Sequence, residues 1–250
     1  MLGSTDSLIP LVVAGISGAI AVASLAWQAS THRKDRQFER ETREEERRIE
    51  ADRLVRKYRN PLVFAADELR SRVRNITGER FLERYGKSEY VIVSTSFVIA
   101  ELLCWMEIVR QEMQFLDLGD VDQTRRLNQA IYSIGRCLAT DRLRGVDGQT
   151  ALFMLWRQEQ RAIGEQMIDR SAGVARCIGY AAFEERRGEF EGRPWFRRLF
   201  DDAQALAHDP TLAFPRLPKL RDAAVELIRV LDPIGILVPE LSPDVAGGED

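Results

Sequence analysis

The sequence predicts a mainly α protein: one amino-terminal transmembrane helix, a charged helical stalk, and an antiparallel bundle of about six helices. Three observations carry this. Leu8 to Trp27 contains no charged side chain. Residues 32–57 are crowded with Arg and Glu and hold no Gly or Pro. From Pro61 onward, apolar residues recur at the three- and four-residue intervals of a helix.

The first segment, "LIPLVVAGISGAIAVASLAW", is about twenty residues, or roughly 30 Å as a helix, which matches the bilayer hydrocarbon. Pro10 falls in the first turn, where a missing N–H costs little. Trp27 closes the run at the depth indoles prefer. A secretory signal needs a basic leader, whereas "MLGSTD" carries only the terminal amine and Asp6. No Lys or Arg precedes the segment, while Arg33, Lys34 and Arg36 follow it. The positive-inside bias then leaves residues 1–7 outside and the body in the cytoplasm, anchored in the inner (plasma) membrane. Gly15, Ala19 and Ala23 recur every four residues. That strip suits close packing of two spans, although small residues are also common in single ones.

The expected organisation is therefore 1–7 external, 8–28 spanning, 29–57 stalk, 58–233 helical domain and 234–250 loose tail. In the stalk, Glu39–Arg43, Glu44–Arg48 and Asp52–Arg56 stand at i,i+4 with the acid first, the favourable order. Phe38, Ile49 and Leu54 are too sparse for a coiled-coil seam. The stalk is expected as a solvated helix about 35–40 Å long. Its glutamates cancel the field of its arginines, which argues against nucleic acid as a partner.

"KYRNPL" reads as the end of one helix and the start of another, with Asn60 as N-cap and Pro61 at N1. The next helix presents Ala65, Leu69, Val73 and Ile76. "SEYVIVSTSFVIAELLCWMEIVRQEMQFLDLGD" gives the longest body helix. One of its stripes runs Val91, Val98, Leu102, Val109, Met113, Leu116, and another Phe97, Cys104, Ile108, Phe115. Two apolar faces imply a central helix. Asp120 and Gln123 resemble a capping pair before "QTRRLNQAIYSIGRCLAT". "RLRGVDGQT" reads as loop and "ALFMLW" as loop or short strand, ahead of a helical "RQEQRAIGEQMI". "CIGYAAF" fits strand or helix. Pro194 and Pro218 introduce two amphipathic helices, "RPWFRRLFDDAQALA" and "KLRDAAVELIRVLD".

The chemistry is sparse. A net charge of −3 supplies no global attraction for acidic partners. Cys104, Cys137 and Cys177 lack metal spacing and sit among apolar neighbours, as small hydrophobes do in a reducing compartment. With two histidines, His32 beside the membrane and His208 in an expected loop, a His-based metal centre or a Ser-His-Asp triad is nearly excluded. No catalytic residue, metal ligand or cofactor motif is assigned. Glu101 and Arg72 each interrupt an apolar stripe, Glu159 lies on the apolar side of "WRQEQRAIGEQM", and Arg161 in the same stretch could join them in a polar pocket. Buried charge must find a partner or shift its pKa. Arg72, Glu101, Glu159 and Arg161 are thus a candidate buried polar network, with an Arg72–Glu101 pair expected across two helices.

Several stretches together carry a resemblance: "YRNPLVFAADELRSRVRNI", "EIVRQEMQFLDLGD", "RQEQRAIGEQMI", "CIGYAAF" and "PWFRRLF". They resemble a group of bacterial single-span proteins with an "RYRDPL"-like junction before a helical domain. Asn60 stands where that group often has Asp. The resemblance covers about Tyr58 to Pro233 and implies one coherent domain. It carries over no activity and no functional residue.

The expected function is a membrane-tethered interaction or regulatory protein, with the lipid bilayer and a protein partner or second copy as its contacts. Two alternatives remain: an enzyme or small-molecule sensor with a polar pocket between helices, and a membrane effector of a defence or toxin type.

Overall fold

The computed structural model describes residues 56–78, 81–86, 88–113, 122–143, 146–147 and 151–241, with a few helical positions between 42 and 53. The expected span with Gly15, Ala19 and Ala23, most of the stalk, Asp120 and residues 242–250 lie outside the described residues. The chain divides into two units, 1–49 and 50–250, and the second carries the helical body.

That body is mainly α and bundle-like. Among the described residues, six helices have eleven residues or more: α1 (56–78), α3 (Glu89–Met113), α4 (Asp122–Ala139), α5 (Arg157–Met167), α8 (Pro194–His208) and α9 (Arg216–Leu231). Three are short: α2 (Phe81–Tyr85), α6 (Tyr180–Glu185) and α7 (Arg187–Glu191).

In α1 the expected apolar row Ala65, Leu69, Val73 and Ile76 is buried. The expected break at Asn60–Pro61 is absent, and the helix runs straight through. A proline inside a helix costs about 3 kcal/mol. Here Tyr58, Leu62 and Val63 are anchored in the core on both sides of it, which offsets that cost.

Helix α3 is the central element. Val91, Val98, Leu102 and Val109 on one face and Phe97, Cys104 and Ile108 on another are all buried. Its β-branched start is helical, with no strand. Glu89–Glu112 is long and apolar enough to cross a membrane, yet 83% of its most apolar window is buried by protein. Its hydrophobicity is therefore used in the core. Helix α1 runs antiparallel to it, because Tyr58 meets Trp105 at 6.4 Å whereas Arg72 lies over Tyr90 at 5.6 Å. Helix α5 approaches α3 closely at Gly164. A Cβ there would stand 2.7 Å from the Leu103 carbonyl oxygen and 2.8 Å from the Glu107 Cβ, so only glycine fits. At the other end, Phe97, Phe183, Phe190, Phe196 and Phe200 tie α3 to α6, α7 and α8, with Phe190 and Phe196 stacked at 4.5 Å.

Two short antiparallel ladders join the helices. Arg142–Leu143 (β1) pairs with Val146–Asp147 (β2) inside the stretch expected as loop. Ile168–Asp169 (β3) pairs with Arg176–Cys177 (β4), so "CIGYAAF" is strand first and helix after. "ALFMLW" forms a turn with Phe153 at φ 59°, and α5 starts directly afterwards. Residues 233–241, mostly assigned to a loose tail from their Pro and Gly content, pack onto the body. Asp232 organises them: its carboxylate accepts from the backbone N–H groups of Ile236, Leu237 and Val238 at 2.8–3.0 Å and from Arg59 at 2.8 Å. Glu240 then pairs with Arg70, and Val238 is buried.

Candidate functional site

The four residues singled out in the sequence have separate surroundings. The Arg72 guanidinium lies over the rings of Phe81 and Tyr90, at 5.1 and 5.6 Å. Glu101 faces another carboxylate, Glu68 of α1, in place of the expected arginine. Burial pushes the Glu101 carboxyl up to about 7. Glu68 adds to this by charge and hydrogen bond, and the Trp105 indole draws it back down. Glu101 therefore holds its proton well above the ordinary carboxylate range. Glu159 folds back on its own helix, its Oε2 accepting from the Trp156 backbone N–H at 2.7 Å, and so caps the start of α5. Arg161 is exposed on α5 and faces a cleft described below.

The thiols fit a packing role. Cys104 is fully buried, and its thiol, together with burial, pushes the neighbouring Cys177 far above the ordinary thiol range. Cys177 therefore stays protonated at neutral pH and is a poor nucleophile. Among the described residues, no group of three or more His, Cys, Asp or Glu could hold a metal ion.

The charged groups that matter most were not singled out in the sequence. Arg216, at the first turn of α9, is 1% exposed. Its guanidinium donates to the carbonyl oxygens of Leu152, Cys137, Leu138 and Thr140. It thus caps the carboxy-terminal end of α4, where the free carbonyls carry partial negative charge. Burial pulls its pKa down from the usual arginine value. Asp202 on α8 accepts from the Phe153 N–H at 2.7 Å and fixes the same turn from the other side. On α3, Glu107 is 3% exposed and takes Arg110 through both oxygens, plus Gln111 at 2.7 Å. A pair of this kind is satisfied in place.

Helices α3, α4 and α5 enclose a cleft of about 220 Å³. Leu103, Met106 and Glu107 line it from α3, Ile131, Tyr132 and Gly135 from α4, and Arg157, Gln160 and Arg161 from α5. On each helix these positions fall within five consecutive residues, two of them adjacent and the third three and four residues away from that pair, so each helix presents one face. Gln160 is 6% exposed, and its Nε2 donates to the Gly135 and Leu155 carbonyls at 2.9 and 2.8 Å. That locks the amide and leaves Oε1 without a protein donor. Gly135 makes the arrangement possible: a Cβ there would stand 2.9 Å from Gln160 Oε1 and 3.3 Å from Arg157 Nη1. The Arg157 guanidinium stacks over Tyr132 at 4.2 Å. Stacking holds it in position without neutralising it. Among the described residues, neither Arg157 nor Arg161 has an ion-pair partner. The cleft therefore combines an apolar wall, a fixed acceptor and two uncompensated guanidinium groups.

No family model, curated protein or solved structure matches the chain.

Proposed function

We propose that this is a membrane-tethered interaction or regulatory protein whose helical body lies in the cytoplasm and works by binding. The observation that carries the reading is the uncharged Leu8–Trp27 segment with no Lys or Arg before it and Arg33, Lys34 and Arg36 after it. The body supports it in one respect. Its most apolar helix, α3, is a core helix, so the hydrophobicity of the amino-terminal segment is not matched by a second free helix among the described residues. The expected partners are the lipid bilayer and a protein, a second copy included, with Gly15, Ala19 and Ala23 as the strip along which two spans would pack.

The test is topological. With a tag placed after Asp250, the account expects protection from external protease in intact cells and cleavage once the membrane is opened, with the chain recovered in the membrane fraction. A tag cleaved in intact cells, or a chain that partitions with soluble protein, contradicts the reading.

A further inference from the structure

We infer that the α3–α4–α5 cleft is a binding site for a small oxyanion, a phosphate or carboxylate carried on a compact apolar body. This deepens the binding role proposed for the helical body and does not depend on the tether. Arg157 and Arg161, one turn apart on α5, are the anion fork. Planar guanidinium groups match the oxygens of either anion and are the usual choice for such recognition.

Three features separate this from an ordinary charged surface. Arg157 is already immobilised over Tyr132, so part of the ordering cost of binding is met before any ligand arrives. Gln160 is more than nine-tenths buried, with an oxygen that accepts from nothing in the protein. That oxygen is reached by solvent at the cleft, so a ligand hydroxyl or amine can donate to it as a third contact. Of the other lining charges, Glu107 and Arg110 cancel as a pair, while Glu165, outside the lining, also acts on Arg110. The field left over is that of Arg157 and Arg161. Leu103, Met106 and Ile131 supply the apolar side. A volume of about 220 Å³ falls below the roughly 300–1,000 Å³ of drug-sized sites, which limits the ligand to a small molecule.

The experiment is calorimetric titration of the full chain in detergent with phenyl phosphate, benzoate and, as the uncharged counterpart, benzyl alcohol. At least one anion is expected to bind with one-to-one stoichiometry, and benzyl alcohol about tenfold more weakly or worse. Preference between the two anions assigns the headgroup. Arg157→Gln and Arg161→Gln are each expected to weaken binding by about tenfold or more. Arg197→Gln, on α8 and outside the cleft, is expected to leave it unchanged. Arg161 is exposed, so its variant folds even if the Arg157 variant does not. The inference is overturned if neither anion binds, if benzyl alcohol binds as tightly, or if Arg161→Gln retains full affinity. Each result stands apart from the protease-protection test, which concerns the tether alone.

Discussion

At the α4–α9 junction, Arg216 is withdrawn from water and donates to four carbonyl oxygens. In the α3–α4–α5 cleft, Arg157 and Arg161 keep their donors open, one of them stacked on a ring. Both regions place arginine against apolar surface. What differs is saturation: the first has its donors used by the fold, the second has them free. The same contrast divides the carboxylates of α3. Glu107 is the more deeply buried and is satisfied by Arg110 and Gln111, while Glu101, six residues earlier, meets another acid, a tryptophan and the Cys177 thiol. Partners decide the outcome, and depth alone does not.

The sharpest way to break this contrast is Arg216→Met. It leaves the α4 carbonyls without a donor in the core, and a loss of about 3–5 kcal/mol is expected in urea unfolding. If the loss is under about 1 kcal/mol, the junction is not held as described. Next in size is Gly164→Ala, which forces a methyl into the Leu103 carbonyl and the Glu107 side chain. About 1–3 kcal/mol should be lost, read from the same unfolding midpoints.

Glu101→Gln should act in the opposite sense and only at the right pH. The native state holds this proton up to about 7, above the ordinary value of 4.5. The native state therefore binds more protons than the unfolded chain between those values, and stability falls as pH rises through that window. An amide cannot lose the proton. At pH 8 the variant should be more stable, on the order of 1–2 kcal/mol once partial exposure is discounted, and the gain should vanish near pH 4. A gain that does not change with pH would show that packing, and not ionisation, is responsible. The smallest effect belongs to the cleft: Arg157→Gln and Arg161→Gln should each change stability by less than about 0.5 kcal/mol.

Much of the fold was legible because helical periodicity records burial directly. The stripes of α1 and α3 identified their core faces, and Pro194 marked the start of α8. Pro61 misled because the local rule against mid-helix proline ignores the tertiary anchors at Tyr58 and Leu62. The ladder β1–β2 was unreadable, since two residues per strand leave no period. The candidate site was less legible. Glu101 stands out in the sequence as a charge on a stripe, but the stripe does not say which helix faces it, and that helix supplies Glu68. Arg216 was detectable by the same logic, because it continues the row Leu220, Ala224 and Leu227 by one turn. The prolines on either side of it concealed the helix start. Gln160, Tyr132 and Gly135 carry no charge anomaly, and only the approach of three helices gives them a shared role.

The most direct test of the contrast is thermal unfolding of the full chain carrying Arg157→Gln and Arg161→Gln together, with and without whichever of phenyl phosphate and benzoate binds the unaltered protein. The account expects a melting temperature within about 2 °C of the unaltered protein in the absence of anion, and no rise when it is added. A fall of many degrees without anion would make these arginines structural like Arg216, and an undiminished rise with it would place the anion elsewhere.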